Sequence, residues 1–154
     1  MILRIEELKD LCTIILPAVD STDFSSLTDT LELHAHNGQL DFSITNKEYF
    51  LETFVKIDDN IDFRATVNAN LFVKLISQTT TDTLEFVVDN QSLIIKGNGK
   101  YKLPLIYDGD ELFKLPRISV TNNQANIDID GNILYSIFLY NTKQLSVGTL
   151  SRPV

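Results

Sequence analysis

Thr30-Leu31-Glu32-Leu33 runs through Asn37-Gly38 to Leu40-Asp41-Phe42, and 53 residues later Thr83-Leu84-Glu85-Phe86 runs through Asn90-Gln91 to Leu93-Ile94-Ile95. Aligned without a gap, the two stretches share the Thr, Leu, Glu, Asn and later Leu, with apolar residues at matching places on the buried face. A helix-like segment precedes each copy, Ile5 to Leu16 and Asn68 to Gln78. A strand–helix–hairpin unit repeated within 154 residues predicts one small domain made of two similar halves. Each half must then leave an apolar face for the other to cover.

Working outward from the first copy, Leu31, Leu33 and Ala35 alternate with Glu32, His34 and His36, the period of a strand with one face buried. Asn37-Gly38 predicts a two-residue type I′ turn, because both positions need positive φ. Leu40, Phe42 and Ile44 return on the core side, which sets Leu33 opposite Phe42 and His34 opposite Asp41. A third strand is expected from about Glu48 to Ile57. Ahead of the hairpin, Ile5, Leu8, Leu11, Cys12 and Ile15 form the apolar stripe of a helix that Pro17 closes. Residues 20–29 read as a polar connector.

In the second copy a strand is expected over Asp62 to Val67. Asn68 then caps a helix Ala69 to Gln78 whose apolar stripe is Leu71, Phe72, Leu75 and Ile76. Strands follow at Leu84–Asp89, Ser92–Lys96 and Lys100–Ile106, the last two joined at Gly97-Asn98-Gly99. Beyond Leu115-Pro116 the pattern starts again, with a short strand Asn126 to Asp130 and a helix from about Asn132 to Thr142 bearing Ile133, Leu134, Ile137 and Phe138. With no sheet after it, that helix must lie against the first domain, pair with another molecule or stay partly exposed. The expected division is 1–116 and 117–154.

The composition is that of a soluble globular domain: 44% apolar and 22% charged residues, a single cysteine, Cys12, and no apolar run near the roughly 20 residues of a membrane span. The early charges at Arg4, Glu6 and Glu7 exclude a secretory signal, and one cysteine excludes an internal disulfide framework, so a cytoplasmic location is expected. A net charge of −8 argues against nucleic acid at first sight. The acids are unevenly spread, however. Phe63 to Thr81 carries only Arg64 and Lys74, and Gly131 to Val154 only Lys143 and Arg152. Such segments give locally positive surface on an acidic body, or are simply buried helices that exclude charge.

Thr66-Val67-Asn68-Ala69-Asn70-Leu71-Phe72, the hairpin through Leu93-Ile94-Ile95-Lys96-Gly97, and above all Lys100-Tyr101-Lys102-Leu103-Pro104-Leu105 resemble the N-terminal domain of the bacterial replicative sliding clamp, the beta subunit of DNA polymerase III. The junction Asp110-Glu111-Leu112-Phe113-Lys114-Leu115-Pro116 and the ending Arg152-Pro153-Val154 are similar too. The resemblance implies an α+β DNA clamp fold, a duplicated βαβββ unit with two helices on one side of antiparallel sheets, followed by the opening of a second clamp domain. It further implies a non-catalytic subunit of a head-to-tail homodimeric ring around double-stranded DNA, which tethers the polymerase. Capture of polymerase and clamp loader belongs in clamps to later domains. Within the family pattern, Lys74, Lys143 and Arg152 are the candidate DNA contacts, and Tyr101 and Leu103 the candidate subunit interface on an edge strand. Two departures bear on this. Glu6, Glu7 and Asp10 surround Lys9 on the first helix, and Thr22-Asp23 stands where many clamps have a basic residue and proline.

Other chemistry is sparse. His34 and His36 beside Glu32 and Asp41 have metal-ligand spacing on one strand face, but two strand histidines without a third ligand read first as outer-face residues, with His34 paired to Asp41 and its protonated form favoured. Gly97-Asn98-Gly99-Lys100 lacks the spacing and helix of a phosphate loop and reads as a turn. Cys12 lies on an apolar stripe. No catalytic residue, metal or cofactor is expected. Two other functions stay open: a clamp-like protein-binding scaffold without a ring, and a small metal-dependent hydrolase using His34 and His36. As it stands the chain is expected to be a monomer or weak oligomer that does not stay on circular DNA.

Overall fold

The computed structural model describes residues 1–19, 29–45, 50–117 and 127–144. The chain forms two compact units, Met1–Ile118 and Ser119–Val154. In the first, strand β1 (Ile2–Arg4) leads directly into helix α1 (Ile5–Ile15) and a single 3₁₀ turn at Leu16–Ala18. Strands β2 (Thr30–His36), β3 (Gln39–Thr45) and β4 (Phe50–Lys56) form a meander. The second half repeats this grammar with β5 (Phe63–Asn68), α2 (Ala69–Gln78), β6 (Thr83–Val88), β7 (Ser92–Lys96) and β8 (Lys100–Pro104). A small hairpin, β9 (Tyr107–Asp108) and β10 (Glu111–Leu112), follows.

The two halves exchange their leading strands. One sheet has the order β4-β3-β2-β5, the other β1-β6-β7-β8, and every pairing is antiparallel. Thus β1 completes the sheet of the second half and β5 that of the first, which is how each half is covered by the other. The register places Leu33 opposite Phe42 and His34 opposite Asp41, as the alternation requires. Asn37 and Gly38 take φ of 48° and 76°, the left-handed pair of a type I′ turn.

One core fills the space between the sheets and the helix pair. Leu31, Leu33, Ala35, Leu40, Phe42 and Ile44 from one sheet meet Leu84, Phe86, Leu93 and Ile95 from the other, all buried. Phe72 of α2 joins them, its ring centroid 6.0 Å from Phe42 and 6.1 Å from Phe86, the second contact edge-on. The α1 stripe of Ile5, Leu8, Leu11, Cys12 and Ile15 is buried in full. The predicted α2 stripe is narrower than expected: Phe72 and Ile76 are buried, but Leu71 is 50% exposed. Asn68 caps α2, its Oδ1 accepting from the Leu71 amide at 2.9 Å. Gly97 closes the β7–β8 turn where a Cβ would stand 2.4 Å from Leu84 Cδ2, so the Gly-Asn-Gly stretch is a packed hairpin and not a phosphate loop.

In the second unit, helix α3 spans Gly131–Gln144, slightly longer than expected. No strand precedes it over residues 127–130. Asp130 is its cap instead, with Oδ1 accepting from the amides of Asn132 and Ile133, because a short carboxylate satisfies first-turn N–H groups better than strand pairing would. Leu134, Ile137 and Phe138 of this helix are exposed. Among the described residues no helix is long and apolar enough to cross a membrane.

Candidate nucleic-acid interface and edge strand

The two helices pack side by side, and their outer surface is the first candidate for a nucleic-acid contact. On α1 the exposed residues include Glu6, Glu7, Lys9 and Asp10. Lys9 does not stand free: its Nζ donates to the Thr79 carbonyl at the C-terminal end of α2, at 3.3 Å. A lysine at a helix C-terminus also meets the negative end of the helix dipole, so Lys9 braces α1 against α2. Lys74 is exposed on α2, with no acidic residue on its helix. Lys143 falls in α3, but its side chain lies outside the described residues, as does Arg152 altogether.

The second candidate is the edge strand β8, which among the described residues pairs only with β7. Leu103 is buried (6% exposed) and Tyr101 is 41% exposed, so the two expected interface residues are unequal. Between β8 and α2 lies a cavity of about 370 Å³ that Leu71, Lys74, Leu75, Tyr101 and Leu103 help to line. This explains the exposed Leu71: it belongs to an apolar groove beside an open edge and not to the core. Strand β4 ends the other sheet, with Phe54 exposed on it.

A third cluster escaped the sequence reading. Glu32, expected to face solvent, is 2% exposed. Its Oε1 accepts from Arg64 Nη1 at 2.9 Å and from Arg117 Nη2 at 3.0 Å, while Oε2 accepts from the Leu115 amide at 3.0 Å. Arg117 also donates to Glu52 Oε1 at 2.6 Å, and Thr66 Oγ1 donates to the Phe113 carbonyl at 2.6 Å. Residues 113–117 therefore lie as a strap across the outer face of the β4-β3-β2-β5 sheet, held by a buried carboxylate. Arg64, expected to lend positive charge to an acid-free segment, is neutralised there.

On the same outer face, nearer the turn, His34 faces Asp41 in register, yet Asp41 bonds His36 instead, Oδ2 to Nε2 at 2.6 Å. His34 stacks on His36 with ring centroids 4.3 Å apart. The expectation that its protonated form is favoured is overturned. Burial, then the nearby charges of Arg64 and His36, hold the His34 imidazole below its usual range despite Asp62 and Asp41.

No protein-family model matches the sequence, and no curated protein matches it. Solved structures do. The DNA polymerase III subunit beta from Pseudomonas aeruginosa superposes with a TM-score of 0.75 at 19% identity, covering 87% of this chain and 36% of that one. The fold is that of the bacterial sliding clamp. Caulobacter crescentus pol III beta gives a TM-score of 0.69 at 20% identity over 86% of this chain and 35% of its own. The Helicobacter pylori beta clamp bound to a DNA ligase peptide gives 0.66 at 21% over 77% and 33%. The chain thus spans about a third of the length of these clamps. Identities near 20% establish the clamp fold and its α+β architecture, and leave partners and residue roles to be argued from this chain.

Proposed function

We propose that this chain acts as the first part of a DNA sliding-clamp subunit, a non-catalytic processivity factor whose ring holds a polymerase on duplex DNA. The observation that carries this reading is the pairing of two strand-exchanged sheets, backed by one helix pair, with an open edge that has an apolar groove beside it. A ring built from such units presents helices inward and joins edge to edge, so retention comes from closure and phosphate contacts need only be weak and blind to sequence. Homodimeric closure, polymerase and clamp-loader binding belong to this proposal, the latter two through parts beyond the two units described. On this reading Lys74, Lys143 and Arg152 contact phosphate, Tyr101 and Leu103 serve the subunit edge, and residues 117–154 begin a second clamp domain.

Lys74 carries a second reading, because it borders the same groove as Tyr101 and Leu103. There it would meet an acidic group of a neighbouring subunit instead of a phosphate. A salt series of duplex-binding measurements by fluorescence anisotropy, with sedimentation in parallel, separates the two. Weak duplex binding that falls with salt is expected, with a log–log slope reduced by about 1 in Lys74→Ala and unchanged in Lys9→Ala. An unchanged slope with weakened self-association in Lys74→Ala assigns Lys74 to the edge. Duplex binding that is absent, or indifferent to alanine at Lys74, Lys143 and Arg152 together, would remove the DNA role and leave the protein-binding scaffold.

A further inference from the structure

We propose that His34, His36 and Asp41 form a binding site for a zinc-class divalent transition-metal ion on the outer face of the β2–β3 hairpin. The three residues offer one ligand atom each, all within 4.8 Å of one another. The strand period places His34 and His36 on one face of β2, and the turn at Asn37-Gly38 brings Asp41 of β3 beside them. Zinc bound at about 2.0–2.1 Å to imidazole nitrogen and carboxylate oxygen sets its ligand atoms roughly 3.3 Å apart in a tetrahedron. The 2.6 Å contact between His36 Nε2 and Asp41 Oδ2 then opens by less than about 1 Å, and the widest gap closes by about 1.5 Å.

The surroundings are those of a held ligand set. Gln39 Nε2 donates to Asp41 Oδ1 at 2.7 Å, fixing the carboxylate so that Oδ2 faces the imidazoles. Asn37 Nδ2 lies 3.3 Å from His36 Nδ1; with a metal on Nε2 the Nδ1 carries the proton, so the Asn37 amide turns its Oδ1 to the ring to accept it. Asp62 Oδ1 lies 3.9 Å from His34 Nε2, and it or water completes the tetrahedron. Of the cations on this face, Arg64, across the strand pair from His34, is paired with Glu32 at 2.9 Å, and Lys56 stands opposite Gln39. The side chains of His34, His36 and Asp41 are 19%, 28% and 15% exposed, enough to admit an ion and too little for three solvated tips. Borderline donors of this kind, two imidazoles and one carboxylate, suit zinc, cobalt and nickel ahead of calcium or magnesium.

The test is a titration of the whole chain, free of any affinity tag, with Co²⁺ followed by visible absorption, and then displacement by Zn²⁺. One Co²⁺ per chain with the intense bands of tetrahedral coordination is expected, displaced by one equivalent of Zn²⁺. His36→Ala and Asp41→Asn should each weaken binding at least tenfold, and Gln39→Ala by a smaller factor. Cys12→Ser should leave it unchanged, since that thiol is buried in the core. Should Asp41→Asn fail to fold, His34→Gln reads the same ligand set. Absence of saturable binding, survival of binding in His36→Ala, or its loss in Cys12→Ser would each overturn the proposal. None of these readouts depends on the clamp function.

Discussion

Glu32 takes part in four links at once: β2 through its backbone, Arg64 and Arg117 through one carboxylate oxygen, and the Leu115 amide through the other. Glu32→Ala should lower stability by roughly 2–3 kcal/mol, since charge-assisted bonds are lost and a buried amide is orphaned while both arginines keep some solvent. Urea unfolding would show this as a lower midpoint at unchanged slope; a loss below about 0.5 kcal/mol would mean that the strap is not held by this carboxylate. The alternation of β2 places Glu32 on the outer face correctly, but the partner that covers it arrives more than 80 residues later, and no local pattern announces that. Cys12 was legible from its stripe. Burial pushes its thiol up to about 12 from an ordinary 9.0. The folded state thus favours the neutral thiol: this contribution is intact below about pH 9 and is lost as pH rises toward 12. A thiol reagent at pH 8 should modify Cys12 only as fast as the protein opens, and rapid labelling of the native chain would contradict the burial.

At the scale of elements, the hairpin and both helices were readable because each is specified locally. Asn37-Gly38 fixes a turn, the turn fixes a register, and the register sorts every side chain of β2 and β3 to its face. Elements that are short, or that owe their form to distant partners, were not. The three-residue β1 has no period to detect, β9 and β10 have two residues each, and the segment before α3 looked strand-like because Ile127 and Ile129 alternate with acids. The apolar stripe of α2 was read one residue too wide because periodicity alone cannot separate a core face from a groove beside an open edge. Two substitutions on α2 probe this. Asn68→Ala should cost about 1 kcal/mol through its cap, and Phe72→Ala about 3–5 kcal/mol, because Phe72 is wedged between Phe42 and Phe86. By contrast, Leu71→Ala should change stability little and self-association more, if the groove serves an edge contact; thermal melts with sedimentation compare the three.

For the whole molecule, the repeated strand–helix–hairpin pattern was the strongest signal in the sequence, and it holds because two similar halves close over one core. What the repeat does not reveal is that β1 and β5 change places. Residues 1–118 contain that core and the strap, so this piece should unfold cooperatively with nearly the midpoint of the full chain. A piece ending at 116 lacks Arg117 and its bonds to Glu32 and Glu52 and should be less stable by about 1–2 kcal/mol, a difference that parallel denaturation curves resolve. The exchange of leading strands also sets a timetable. As the chain leaves the ribosome, Ile2–Arg4 emerges some 80 residues ahead of its partner Thr83–Val88, and the first meander waits for Phe63–Asn68 to close its own edge. Neither sheet finishes alone during synthesis. The border of the first meander stays open until Phe63–Asn68 is out and that of β1 until Thr83–Val88 has followed the second helix, and two chains growing side by side on one message have the chance to lend each other the strand that each is waiting for.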